Sequence, residues 1–135
     1  MTEIKTIQSE YKFGNKAEIE LEKLMFDTFG VIRNQNKYEV FDYESNTTLV
    51  ELKTRRCYSY SFKDIMMNHS KIELARITTK NCYFVFKFVD GIYYWKYDKE
   101  VELRTDINGR RDRGINEQKQ FHYIPTNLLK KVNEN

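Results

Sequence analysis

The chain has 135 residues, of which 40% are hydrophobic and 32% are charged. That size and composition predict one folded domain over residues 1–135 and exclude a disordered chain. The formal net charge is only +3, and the two cysteines, Cys57 and Cys82, are too few for a disulfide framework. No apolar run is long enough to span a membrane and the first residues form no signal peptide, so we expect a soluble, intracellular protein with no membrane partner.

Two predicted elements occupy the first 55 residues, a helix and a β-hairpin. The helix covers residues 15–29, with Asn15 as its N-cap and Gly30 as its stop. The hairpin has strands at residues 38–43 and 48–55, because β-favouring residues flank a short polar turn.

The rest of the chain alternates strands with helices. The capping-box pattern of Ser70 and Glu73 predicts a second helix from Ser70 to about Lys80. The other predicted elements are an irregular segment at 56–68, strands at 82–89, 92–97 and 121–124, a polar loop at 101–117 and a short helix at 127–132. This order predicts an α/β (α+β) fold in which helices flank a central mixed β-sheet.

The predicted hairpin carries charged residues within an otherwise apolar segment. Glu51 and Lys53 share one face of its second strand, whereas Val50 and Leu52 lie on the other face, because side chains alternate along a strand. With a second carboxylate beside them, Glu51 and Lys53 could hold a divalent metal next to a phosphodiester. The alternative is a surface hairpin on which Lys53 simply neutralises Glu51.

The length of the turn decides which acid of the first strand faces Glu51. A two-residue loop at Asn46 and Thr47 places Asp42 directly opposite Glu51, where like charges destabilise a sheet unless a cation neutralises them. A three-residue loop would place Glu39 on that face instead. We prefer Asp42, with Glu39 as the alternative.

The first helix supplies a third candidate acid. On a helical wheel of about 100° per residue, Glu18 and Glu22 fall inside the apolar arc of the helix. Carboxylates on a core-facing surface are costly unless they are paired or bind a metal. We therefore expect one of these two glutamates to face the acids of the hairpin.

Basic residues are concentrated at residues 53–56 and 104–113, an arrangement that suits contacts with phosphate groups. The alternative is a pair of solvated loops with ordinary surface charge. For Lys71, at the start of the second helix, we favour a solvated side chain over a phosphate contact. Tyr58 and Tyr60 are available for stacking on bases. The candidate phosphate contacts are Arg55, Arg56, Lys71, Arg110, Arg111 and Arg113.

Other catalytic chemistries fit the sequence poorly. The two histidines, His69 and His122, are isolated, and no spacing of His and Cys is typical of a zinc site. We expect His122 to be structural. The sequence contains neither a glycine-rich phosphate loop nor a Walker-type motif.

A helical glutamate, followed by Phe41-Asp42 and then by Glu51-Leu52-Lys53 on a hairpin, resembles the PD-(D/E)xK nuclease superfamily. Phe41 stands where the superfamily motif has proline. Most of the chain is similar to small stand-alone members encoded by large DNA viruses. The similar segments are residues 14–18, 36–42, 51–55, 84–94, 109–114 and 123–125.

The resemblance implies a restriction-endonuclease-like core and a role for each candidate residue. Asp42 and Glu51, with the backbone carbonyl of Leu52, would bind Mg²⁺ or Mn²⁺. Glu18 matches the helix acid, which favours it over Glu22, and it would hold a second metal ion or a metal-bound water. Lys53 matches the catalytic lysine. The implied products carry a 5′-phosphate and a 3′-hydroxyl.

We therefore predict a metal-dependent nuclease that hydrolyses phosphodiester bonds, as an endonuclease rather than an exonuclease, with DNA favoured over RNA. It would act in the host cytoplasm or nucleus if it is viral, and a homodimer is compatible with this function. The alternative is a non-catalytic nucleic-acid-binding module that keeps the nuclease fold. A structural or protein-interaction domain is a third interpretation.

Overall fold

Two β-sheets form the framework in the residues that the computed structural model describes, which are 16–35, 40–108 and 119–133. A six-stranded sheet has the order β1-β2-β3-β5-β6-β9, and a three-stranded sheet has the order β4-β8-β7. The strands are β1 (Ile32–Arg33), β2 (Tyr43–Glu44), β3 (Thr48–Thr54), β4 (Asp64–Asn68), β5 (Asn81–Phe88), β6 (Gly91–Lys96), β7 (Arg104–Asn108), β8 (Lys119–Pro125) and β9 (Lys130–Lys131). The helices are α1 (Glu22–Phe29) and α2 (His69–Ile77), with a 3₁₀ turn at Thr126–Leu128.

The larger sheet is mixed, because β3 and β5 run parallel whereas its other neighbouring strands are antiparallel. Parallel neighbours need a crossover connection, and here β4 and α2 supply it. The predicted α+β fold with a central mixed sheet is confirmed. Among the described residues, no helix is both long enough and apolar enough to cross a membrane.

Strands β3 and β5 are buried on both faces of the larger sheet. One face, which includes Leu49, Phe84 and Phe86, packs against α2 and the smaller sheet. The opposite face, which includes Val50 and Val85, packs against α1. Strands that are buried on both faces have nearly continuous apolar sequences. A charged residue within β3 must therefore lie inside or beside the core.

The hairpin of β2 and β3 has the register expected from a two-residue turn. The backbone N–H of Ser45 donates to the carbonyl of Thr48 at 2.8 Å, and Tyr43 pairs with Val50. One residue further along, the same register places Asp42 opposite Glu51. Strand β2 is shorter than predicted, since residues 40–42 are not in a strand, and Glu39 lies outside the described residues.

The first predicted helix is interrupted. Residues 16–20 are helical, Leu21 forms a turn, and α1 continues to Phe29. Gly30 ends the helix as predicted, with φ of 70° and its N–H donating to the carbonyl of Phe26, a conformation that glycine adopts without strain. The proposed N-cap, Asn15, lies outside the described residues.

Three segments differ from the predictions made for them. Residues 64–68 of the segment predicted to be irregular form β4, and residues 104–108 of the predicted loop form β7. Both strands pair with β8, a partner distant in sequence from β4. The predicted C-terminal helix at 127–132 is also wrong, since the chain instead forms the 3₁₀ turn and β9, which pairs with β6.

The predicted capping box of α2 does not form. The helix begins at His69, one residue before Ser70, and no side chain caps it. Glu73 instead binds the guanidinium group of Arg76, at 2.7 and 3.2 Å. The helix ends at Ile77 rather than at Lys80, because Thr78 is already extended.

The two histidines are not isolated in the fold. Nδ1 of His69 and Nε2 of His122 lie 2.9 Å apart, and their rings are nearly parallel, at 10°. This contact joins the start of α2 to β8. Burial lowers the pKa of His122, and the proximity of His69 lowers it further.

Replacing His69 with Asn should raise the pKa of His122 toward the ordinary value of 6.5, because one of the two causes of its depression is removed. The imidazole resonances of His122 in an NMR pH titration measure this shift. If the pKa of His122 is the same in wild type and in His69→Asn, the two rings do not interact in solution.

Candidate active site

Glu51 is the buried carboxyl at the centre of the site. Its side chain is 2% exposed on the face of β3 that packs toward α2. Two ammonium groups approach its Oε2 atom, Nζ of Lys71 at 3.1 Å and Nζ of Lys53 at 3.8 Å. Glu51 and Lys53 lie on the same face of β3, as expected from the alternation of side chains along a strand, and the second lysine comes from a different element.

Asp42 faces Glu51 across the hairpin, as the two-residue turn predicted. Its Oδ2 atom accepts a hydrogen bond of 2.7 Å from the backbone N–H of Leu52, which fixes the orientation of the carboxylate. The Asp42 carboxyl also affects its two acidic neighbours, because its proximity raises the pKa of both Glu51 and Glu18. Asp42 therefore favours the protonated forms of these two glutamates.

The pKa values of two acids are raised close to neutrality. Burial raises the pKa of Glu51 to about 8, with a further contribution from Asp42 that Lys53 and Lys71 oppose. Burial also raises the pKa of Glu18 to about 7, again with a contribution from Asp42, and Arg33 opposes the shift. The ionised forms of both acids therefore lack sufficient positive charge around them.

Of the two helical glutamates, Glu18 is the one that lies beside Asp42. The backbone carbonyl of Glu18 accepts a hydrogen bond from the hydroxyl of Tyr43, which ties the helical residues 16–20 to β2. Glu22 is more exposed, and its Oε1 atom lies 3.6 Å from Nη1 of Arg33. Arg33 also approaches Glu18, with 3.7 Å between Nε and Oε2.

Lys71 is not the solvated helix residue that we favoured from the sequence. Its side chain is only 17% exposed, and its ammonium group lies 5.4 Å from the centre of the Phe41 ring. Phe41 occupies the position that has proline in the superfamily motif. The phenylalanine therefore provides an aromatic ring that contacts the Lys71 ammonium group. The packing of α2 against the larger sheet brings Lys71 to Glu51, and no local pattern reveals such a contact.

The other predicted phosphate contacts lie in different surroundings. Arg55 is partly buried, which lowers the pKa of its guanidinium group, and its Nη1 atom donates to the carbonyl of Thr54. Arg56 is exposed. Arg104, in the second basic segment, binds Asp64 at 3.1 Å. The remaining predicted contacts, Arg110, Arg111 and Arg113, lie outside the described residues.

The donor chemistry of the cluster fits Mg²⁺ or Mn²⁺. Within the part of the chain that the structure describes, no group of three or more His, Cys, Asp or Glu side chains is arranged to hold a metal ion by itself. Mg²⁺ rarely requires such a cage, since it is commonly bound by one or two carboxylates together with water and substrate phosphate. Asp42 and Glu51 supply two carboxyl groups whose ionised forms a cation would stabilise.

Replacing Glu51 with Gln should stabilise the metal-free protein at pH 8 and leave its stability almost unchanged at pH 5. The pKa of Glu51 is raised from 4.5 to about 8, so the folded state holds the extra proton and loses stability as pH rises through that window. Thermal melts in EDTA should show a higher melting temperature for the variant at pH 8 and a much smaller difference at pH 5.

A fall in the melting temperature of Glu51→Gln at pH 8 would show that the carboxylate is already well compensated by its two lysines. The matched control is Glu44→Gln. Glu44 also pairs with a lysine, Lys80, but at a partly exposed position, and its variant should show no comparable pH-dependent gain.

A comparison of the chain with known protein families identifies one family to which it is similar. The model of the family described as "Phage putative PDDEXK endonuclease" matches residues 5–132. No curated protein and no solved structure matches the chain. The matched range spans the residues of the site, and the family description supports nuclease activity on a nucleic-acid substrate. The chain therefore belongs to this phage PDDEXK endonuclease family and to the PD-(D/E)xK nuclease superfamily.

Proposed function

We propose that the protein is a Mg²⁺- or Mn²⁺-dependent endonuclease that hydrolyses phosphodiester bonds, with DNA as the favoured substrate. The observation that carries the proposal is the convergence of Asp42, Glu51 and Lys53 on one face of the hairpin. The family description supports an endonuclease acting on nucleic acid. We further propose that it acts inside the infected cell, and that a homodimer would present two such sites.

In this mechanism Asp42 and Glu51, with the carbonyl of Leu52, would hold the metal ion. A bound divalent ion would polarise the phosphodiester and lower the pKa of a water molecule. The hydrogen bond from the N–H of Leu52 to Asp42 keeps that carboxylate turned toward Glu51. A cation held there would favour the ionised form of Glu51, whose pKa burial raises.

The lysines have different roles in this proposal. Lys53 is more exposed than Lys71, so its ammonium group is the one able to meet an incoming phosphate or to orient the attacking water. Lys71 lies closer to Glu51 and fixes its Oε2 atom. Glu18, with a pKa of about 7, is suited to exchange a proton with water at neutral pH.

Lys53→Ala should lower the rate of metal-dependent cleavage at least about 100-fold, because a charge aimed at the reacting phosphate is lost. Cleavage of single- and double-stranded DNA and RNA with Mg²⁺, Mn²⁺ or EDTA measures this effect. The matched control is Lys80→Ala, which removes a lysine paired with Glu44 at the other end of the hairpin and should cleave normally. Equal cleavage by Lys53→Ala and wild type would contradict the proposed role.

Asp42→Ala should abolish both cleavage and the stabilisation that Mn²⁺ gives to wild type, because it removes a metal ligand and the partner of Glu51. Lys53→Ala should keep the Mn²⁺-dependent rise in melting temperature. Thermal melts with added Mn²⁺ and with EDTA separate the two variants. Persistent Mn²⁺ stabilisation of Asp42→Ala would place the metal elsewhere.

The alternative is a module that binds nucleic acid without cutting it. It gains support if wild type binds nucleic acid, shows no Mn²⁺-dependent rise in melting temperature, and cleaves none of the four substrates. The complete set of Asp42, Glu51 and Lys53 favours the enzyme, since a non-catalytic descendant has no need of a buried carboxyl that opposes folding at neutral pH.

A further inference from the structure

We infer that Tyr58 and Tyr60 form a platform on which an unpaired base of the substrate strand stacks, an inference that rests on the proposed nuclease function and specifies its substrate. The two rings are stacked, with centroids 5.3 Å apart and planes at 21°. Tyr58 is 45% exposed and Tyr60 is 76% exposed, and the neighbouring Phe62 is exposed as well. Three exposed aromatic rings within five residues are unusual on a surface that binds nothing.

The turn that carries these rings is held firmly. The backbone N–H and the hydroxyl of Ser59 both donate to the carboxylate of Asp90, at 2.8 and 2.6 Å. Within the turn, the N–H of Tyr58 donates to Oγ of Ser61, and the N–H of Ser61 donates to the carbonyl of Tyr58. The rings are therefore exposed but pre-positioned, which lowers the entropic cost of stacking a ligand on them.

The platform directly follows the strand that carries the proposed catalytic lysine. Lys53 precedes Tyr58 by five residues, a span of at most about 18 Å. The chain between them stays beside β5 through hydrogen bonds from the N–H of Arg55 to Lys87 and from the N–H of Val89 to Cys57. A nucleic-acid strand held at Lys53 would therefore reach the rings within about five stacked nucleotides.

The charges near the platform favour nucleic acid as its occupant. Arg55 and Arg56 lie between Lys53 and the rings, and the exposed Lys63 follows them. Of the nearby carboxylates, that of Asp64 is paired with Arg104, whereas that of Asp90 stays ionised and accepts hydrogen bonds from Ser59. The surface therefore combines cations, which attract phosphates, with aromatic faces, which attract bases.

The occupant must be an unpaired base, because the faces of bases within a duplex are already covered by their neighbours. Unpaired bases can be splayed onto aromatic side chains, and every base has a face that stacks. The substrate class is thus a strand with unpaired nucleotides near the scissile phosphate, such as a single strand, a flap or a frayed end. Stacking alone is shared by DNA and RNA.

Fluorescent oligonucleotides that contain 2-aminopurine test the platform in EDTA, where binding is measured without cleavage. Wild type should quench the fluorescence of single-stranded DNA or RNA as the base stacks. Tyr60→Ala should weaken binding about tenfold and abolish the quenching, whereas Tyr60→Phe should retain both. The matched control is Phe26→Ala, which removes a similarly exposed ring from α1 and should bind like wild type.

The outcomes of this experiment test the base-stacking platform separately from the proposed nuclease activity. Equal quenching by wild type and Tyr60→Ala, loss of quenching in Tyr60→Phe, or equal quenching of a fully paired duplex would each overturn the platform. Tyr60-dependent quenching without metal-dependent cleavage would support the platform and overturn the nuclease. Preference for single-stranded DNA over RNA, or the reverse, would identify the natural strand and support the platform in either case.

Discussion

The burial of the Glu51 carboxyl is the constraint on which the site depends. Ionising a side chain that is 2% exposed is costly without nearby positive charge, and burial raises the pKa of Glu51 to about 8 although Lys53 and Lys71 oppose the shift. The fold places this acid in β3, a strand that is apolar on both sides. In the proposed mechanism, its deprotonation is coupled to the binding of a cation.

Residues from distant parts of the chain meet around the buried Glu51 carboxyl. The hairpin turn sets the register that brings Asp42 opposite Glu51. The helical residues 16–20 bring Glu18 against Asp42, and the crossover between β3 and β5 brings Lys71 on α2. Each element is also held by ordinary packing, so the cost of gathering the charges is offset by the apolar cores on both faces of the sheet.

The parts of the structure that could be predicted were those encoded locally. The alternation around Glu51 and Lys53, the turn at Asn46 and Thr47, and the stop at Gly30 depend on residues close in sequence, and the fold has all three. The mixed sheet followed from the order of the elements.

The features that were missed depend on partners far away in the chain. Strand β4 owes its conformation to β8, and β9 owes its conformation to β6. The contact of Lys71 with Glu51 and the pairing of His69 with His122 arise from the packing of α2, which leaves no periodic signal in the sequence.

The central claim is that the acidic cluster exchanges protons for a divalent cation. Isothermal titration of Mn²⁺ into the protein, in buffers of different ionisation enthalpy, counts the protons released. At pH 7 the account predicts a net release of about one proton or more, from Glu51 and Glu18, and a release that declines by pH 9 as both acids ionise beforehand. Mn²⁺ binding without proton release at pH 7, or with a release that does not change between pH 7 and pH 9, would contradict it.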